Sequence, residues 1–297
     1  MTTLPRYVVR SLVSLLAVAW VGGCSDHVVS PNAALPLLSS NATKFWDASA
    51  TIRWNEIARA QTQTHRVSQQ FGSRTFAYLS LAQYNAAVAA EDVKNRGEHA
   101  SVRAAVAEAS ALVLGAFYPD QALYFDAQVA NQESEPRSPG ENHDDFASGV
   151  AVGHDVGAAV VASAARDGFT SSVDGATMPV CPGCWISAPG KVPAFPRLKE
   201  MRTFYLLAAN QFRPAPPPTF GSAEFLAALA EVRSFSDHRT REQDSLAKFW
   251  ASPGGFSNCA QSYNNEIATG EITKFHLDEV RAASVLAVMN MAAMDAF

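Results

Sequence analysis

The chain has 297 residues, 48% of them apolar and 17% charged, with a formal net charge of −5. That length and apolar share suffice for the core of one large domain or two modest ones. The acidic balance leaves no basic field to attract nucleic acid or anionic lipid headgroups.

In chain order, the first element is a targeting segment. Arg6 and Arg10 form a short cationic region, residues 12–21 an apolar stretch, and Val21-Gly22-Gly23-Cys24 a junction of small residues ending in cysteine. The apolar stretch is too short to span a bilayer permanently. It resembles the bacterial lipobox, which implies a lipoprotein-type signal peptide over residues 1–24, cleavage before Cys24 and lipidation of Cys24. An ordinary secretory signal, with Cys24 incidental, is the alternative. Ser25 follows where an aspartate would resemble the inner-membrane retention signal, so the expected location is the outer membrane, facing the periplasm. The membrane is then a partner through the lipid on Cys24, and the body is expected to be soluble on its tether.

Residues 25–43 are rich in small, polar and proline residues and read as a flexible stalk. From Lys44 onward, apolar residues at three- and four-residue spacing predict helices over 47–69, 73–93, 98–117, 143–166, 222–233, 240–250 and 273–297. Ser222 before Phe225-Leu226, and Thr240 with Gln243 three residues on, are helix-start signals. Nine prolines between residues 174 and 219 leave room for at most one short helix, around 199–210. No alternating β-branched runs occur, so the expected class is all-α, a helix-bundle architecture.

Self-similarity divides this helical body. Lys44-Phe45-Trp46 returns as Lys248-Phe249-Trp250, Asn55-Glu56-Ile57-Ala58 as Asn265-Glu266-Ile267-Ala268, and the helix opened by Arg74 as the helix opened by Arg281, at offsets of 204, 210 and 207. The order is the same in both copies. Two related helical bundles are expected: the first over 44–173, a proline-rich crossover over 174–221, and the opening of a second over 222–297. Residues 280–297 stay apolar and amphipathic to the last residue, without a cap. The expectation is therefore a second bundle incomplete at its C-terminus, with self-association through the apolar face that this leaves exposed.

The same words resemble a family. Trp54-Asn55-Glu56-Ile57-Ala58, residues 241–250 (REQDSLAKFW), residues 288–297 (VMNMAAMDAF), and the crossover words Pro182-Gly183-Cys184-Trp185 and Gln211-Phe212-Arg213-Pro214 are similar to those of the bacterial vanadium-dependent haloperoxidases and the type 2 phosphatidic acid phosphatase superfamily. The resemblance implies phosphate-ester hydrolysis or peroxide-dependent halide oxidation, with vanadate as the cofactor of the complete fold. It further implies a pocket where one Lys and two Arg neutralise an oxyanion while one histidine bonds the metal or attacks phosphorus and another moves protons. The family motifs are of the Lys-x6-Arg-Pro, Pro-Ser-Gly-His and Ser-Arg-x5-His types. Here the only Arg-Pro is Arg213-Pro214, preceded at the lysine position by Leu206, and Ser148-Gly149 is not followed by histidine. No catalytic, cofactor-binding or metal residue can be transferred, and the chain is expected to be inactive as given. A non-catalytic helical envelope scaffold or binding lipoprotein is the alternative.

The remaining candidates have plainer readings. His99 precedes an alanine-rich helix and reads as a helix-start residue. His154-Asp155 are adjacent on a helix and so do not face each other, while His143-Asp144-Asp145 suit a helix N-terminus. Cys181 and Cys184 read as a small loop disulfide in an oxidising compartment, or less readily as a thiol redox pair, and Cys259 is left over. Phe45, Trp46, Trp54, Phe249 and Trp250 read as core.

Overall fold

The computed structural model describes residues 49–135, 141–170, 178–251 and 259–297. Among these residues there are helices and no strand. In chain order they are α1 (Ser49–Thr64), α2 (Gln69–Asn95), α3 (Val102–Phe117), α4 (Ala122–Glu133), α5 (His143–Ala164), α6 (Ala223–Asp237), α7 (Arg241–Ala251), α8 (Ala260–Lys274) and α9 (Glu279–Asp295). Short 3-10 turns fall at Pro119–Gln121 and Leu198–Glu200. The all-α class is as the sequence predicts. Lys44-Phe45-Trp46, the stalk and the segment through Cys24 lie outside the described residues.

The helices start where side chains can satisfy the free N–H groups of a first turn. Ser68, Ser101, Ser222 and Asp278 each accept a hydrogen bond from the backbone N–H three residues on. Thr240 and Gln243 form the reciprocal pair that the sequence suggests: Gln243 N donates to Thr240 Oγ1 at 3.1 Å and Thr240 N to Gln243 Oε1 at 2.9 Å. Asn142 and Asp145 do the same at the entry to α5.

The core forms where alanine-rich faces meet. Helix α3 packs on α2, α4 and α5, while α8 and α9 pack on α1 and α2. Gly149, Gly153 and Gly157 place a side-chain-free stripe along α5, and α3 fills it. A Cβ added at Gly153 would stand 2.9 Å from both Ala105 Cα and Glu108 Cβ, and one at Gly157 3.0 Å from Ala109 Cα. The two backbones therefore touch almost directly. Among the described residues, α5 is the one helix long and apolar enough to cross a membrane by length and composition.

A pseudo-two-fold relation links α1–α2 to α8–α9, and it holds at one constant offset. Asn55 Nδ2 donates to Asn265 Oδ1 at 2.7 Å and Asn290 Nδ2 to Ser80 Oγ at 2.8 Å, each pair being 210 residues apart. The loops agree as well. Both Arg66 (φ 48°) and His276 (φ 50°) adopt the left-handed conformation. The next N–H then reaches back five residues in each copy, Val67 to Thr62 O and Leu277 to Ile272 O, both at 3.2 Å. Caps are exchanged across the axis: Glu279 accepts from Ala50 N at 2.7 Å, and its counterpart Gln69 accepts from Ala260 N at 2.6 Å.

This corrects one alignment. Arg281 corresponds to Phe71 and not to Arg74, so the 207 offset is a slip of three residues. Three residues are close to one helical turn, which keeps the apolar stripe on the same face. Leu79 and Leu286, matched by the slipped alignment, are both fully buried, and so are the true partners Phe76 and Leu286.

Among its described residues the crossover holds only the Leu198–Glu200 turn, shorter than the helix expected around 199–210. Its middle is nevertheless fixed. Asp295, near the end of α9, accepts the N–H groups of Phe204, Tyr205 and Leu206 at 2.7, 2.7 and 3.1 Å, and Arg202 N donates to Asp167 O at 2.8 Å.

Candidate functional site

Two polar centres lie inside the bundle. The first follows the pseudo-two-fold axis. Thr51, Asn55, Ser80, Gln83, Ser110, Asn265 and Asn290 are fully buried. Asn290 Oδ1 accepts from Gln261 at 2.5 Å and from Asn265 at 2.8 Å, while Gln83 donates to Ser110 Oγ at 3.2 Å. At its edge, Glu279 also accepts from Thr51 N at 3.0 Å and Thr51 Oγ1 at 2.7 Å. Burial pushes the Glu279 carboxyl up, and the hydrogen bonds from Thr51 and Ala50 oppose that shift. The groups in this network are amides, hydroxyls and one carboxylate. They can specify how the helices dock, but they supply neither a nucleophile with a base nor a cluster of cations.

The second centre joins α2 to the turn after α5. Arg74 Nε donates to Asp167 Oδ2 at 2.7 Å and Arg74 Nη2 to Ala164 O at 2.7 Å. The guanidinium is flanked by the rings of Phe117, Phe169 and Tyr78, at 4.6, 4.8 and 5.4 Å from their centroids. Asp167 Oδ1 accepts from Phe169 N at 2.8 Å. Tyr78 is raised to about 12, first by burial and then by the negative charge of Asp167. The Arg74 charge is thus consumed within the fold: both ends of the ion pair are hydrogen-bonded and its faces are stacked.

The open cavity, about 430 Å³, lies between α3, α4 and α5 and is lined by Glu108, Asp126, Glu133, Phe146, Ala147 and Val150 among others. Its polar wall is carboxylate. Desolvation raises Glu108, the positive influence of His154 opposes this, and nearby Asp126 adds to it.

The residues singled out from the sequence do not converge. His99 is exposed, and the cap of α3 is Ser101. His143 Nδ1 pairs with Glu133 Oε1 at 2.6 Å at the surface, and exposed His154 lies 3.8 Å from Asp155. Cys181 and Cys184 are joined in a disulfide with a Cα–Cα separation of 5.2 Å, in an exposed stretch of the crossover. Cys259 is buried and its thiol is pushed up by desolvation. Trp54 is core, donating to Gln132 Oε1 at 3.1 Å. Phe249 and Trp250 are exposed and meet Tyr263 edge-on, against the expectation of core. Helix α7, which carries them, buries no residue. Among the described residues no group of three or more His, Cys, Asp or Glu is placed to hold a metal ion.

Sequence reading missed the Arg74–Asp167 pair. Its signal was an arginine within an apolar helix face and an aspartate in an Asp-Gly-Phe turn, too weak to link positions 93 residues apart.

The bundle and its internal two-fold define a class, an all-helical repeat protein with its polar network on the repeat axis. No family model matches the chain, and no curated protein matches it by sequence. By structure it is similar to the crystal structure of a bacterial vanadium-dependent iodoperoxidase, with a TM-score of 0.67 and 18% identity over 84% of this chain and 67% of that one. The chain has the haloperoxidase-type helical fold.

That fold raises the question of vanadate. A highly charged oxyanion needs several convergent cations. Here Arg74 is spent on Asp167, Arg53 pairs with Glu135, Arg59 with Glu266 at 3.0 Å, and Arg103 faces Glu135 and Glu141 at 3.7 and 3.6 Å. The cavity between α3, α4 and α5 presents carboxylates. The described residues do not fit vanadate.

Proposed function

We propose that this chain supplies the architecture, and not the chemistry, of an exported protein of the vanadium-dependent haloperoxidase and type 2 phosphatidic acid phosphatase superfamily. The observation that carries this reading is electrostatic. The fold is that of an iodoperoxidase, yet the arginines inside it are paired with carboxylates and the cavity wall is acidic. The Lys-x6-Arg-Pro, Pro-Ser-Gly-His and Ser-Arg-x5-His words are also missing from the 297 residues. The reaction of the superfamily, phosphate-ester hydrolysis or peroxide-dependent halide oxidation, is therefore not performed by this chain alone. In cells the chain is a lipoprotein anchored through Cys24 to the periplasmic face of the outer membrane.

The rival is a repurposed helical scaffold or binding lipoprotein of the envelope. It is favoured by the buried polar network on the repeat axis, which specifies how the helices dock. Activity of the purified chain decides the main point. We expect no turnover of p-nitrophenyl phosphate, and none of bromide or iodide with peroxide and added vanadate. Clear turnover in either assay would overturn the proposal.

A further inference from the structure

The crossover contains a covalent cross-link that packs against its junction with α6. Cys181 and Cys184 are disulfide-bonded across a turn that is also closed by Cys184 N donating to Cys181 O at 3.1 Å. Cross-linking residues only three apart adds little to global stability, because so short a loop has little entropy to lose. Its effect is therefore local. Gly183, inside the turn, has φ 78°, in the left-handed region where a side chain is strained, and its bare Cα rests on an aromatic ring. A Cβ added there would stand 2.6 Å from Phe220 Cδ2 and 3.0 Å from Phe220 Cβ and Cγ.

Phe220 leads directly into α6. Its ring centroid lies 5.0 Å from that of Phe225 in the first turn of the helix, and Phe225 N donates to the Ser222 cap at 3.2 Å. The disulfide turn thus fastens one end of the described crossover to the other, while Asp295 and Asp167 pin its middle. Access to the bond is uneven. Cys181 is exposed and Cys184 half-buried, whereas Cys259 is buried elsewhere in the core.

We propose that the Cys181–Cys184 disulfide is a site of thiol–disulfide exchange with dithiols, and that its closure holds Phe220 and the entry to α6. A thiolate of the dithiol attacks the accessible Cys181 Sγ, the bond between the cysteines breaks, and Cys184 leaves as a thiolate that takes up a proton. The second thiol of the reagent then displaces Cys181 from the mixed disulfide. The products are two cysteine thiols and one oxidised dithiol, with two electrons and two protons passed to the chain. A single backbone hydrogen bond then remains to keep the turn closed, and Gly183 loosens from Phe220. The inference rests on these contacts and stands whether or not the reading of function above holds.

The test is limited chymotrypsin digestion of the folded full chain with and without dithiothreitol, combined with iodoacetamide labelling read by mass spectrometry. Dithiothreitol is expected to open Cys181 and Cys184 to the label while Cys259 stays unlabelled, and to speed cleavage after Phe220 about tenfold. Phe275 is the internal control: it is 63% exposed against 57% for Phe220, and its cleavage should not change. Gly183→Ala keeps the disulfide but spoils the seat, so it should be cut quickly after Phe220 in both states. Cys181→Ser/Cys184→Ser should behave like the reduced wild type and ignore dithiothreitol. A disulfide that resists dithiothreitol in the folded chain would overturn the proposal. So would cleavage after Phe220 that is indifferent to reduction, equal acceleration after Phe275, which would mean general loosening, or oxidised Gly183→Ala that stays protected.

Discussion

Arg74 and Asp167 show how a charge can be present and yet unavailable. The side chain of Asp167 is almost wholly buried and that of Arg74 nearly so. Removing one partner therefore leaves an uncompensated charge among aromatic rings. Asp167→Ala is expected to cost about 3–5 kcal/mol by urea unfolding. The double variant Arg74→Met/Asp167→Ala should cost clearly less than the sum of the single changes, since neither charge is then stranded. Additive losses would mean that the pair is not coupled. Glu108 makes a separate prediction. Its carboxyl is raised above the ordinary 4.5, chiefly by desolvation, so folding favours the protonated form. The stabilisation is complete below the ordinary value and is lost as pH rises through the raised one. Between mildly acidic and neutral pH the urea midpoint of the wild type should fall, and in Glu108→Gln the fall should be smaller. An identical pH profile in the variant would exclude this role.

At the scale of elements, what could be read from the sequence depended on how local the physics is. Caps are local, and Ser222 and the Thr240–Gln243 pair were legible because the partners lie three residues apart. Helix α4 was less so, its periodicity weakened by polar residues on several faces, with only Phe125, Val129 and Gln132 buried. The single helix expected over 273–297 is broken after Lys274 by His276, whose left-handed backbone no glycine advertises. Periodicity also could not tell an offset of 207 from one of 210. A slip of nearly one turn preserves the apolar stripe, and only the hydrogen bonds across the axis fix the register. The glycine stripe on α5 shows a further limit: glycine weakens a helix by propensity alone, and the use of these three emerges only beside α3. Gly153→Ala should destabilise by about 1–3 kcal/mol, seen as a lower melting temperature, although alanine is the better helix former. A neutral or stabilising effect would mean that α3 and α5 are not in backbone contact.

Across the whole molecule, the repeat organises both the core and the exposed surface. Its buried polar groups come from α1, α2, α3, α8 and α9, so the copies share one interior. Among the described residues, the α8–α9 face and α6 both leave apolar side chains exposed. The all-α class and the existence of two copies were visible in the sequence because alanine-rich periodicity and repeated words survive divergence. That the described residues do not fit vanadate was half visible. Missing motifs can be counted in a sequence, but only geometry shows that the arginines present are already paired with Glu135, Asp167 and Glu266. Vanadate binding measures this most directly, independently of any substrate. With purified chain titrated into orthovanadate and followed by vanadium-51 NMR, the account predicts an unchanged free-vanadate signal at stoichiometric protein. Saturable loss of that signal at one vanadate per chain would contradict it.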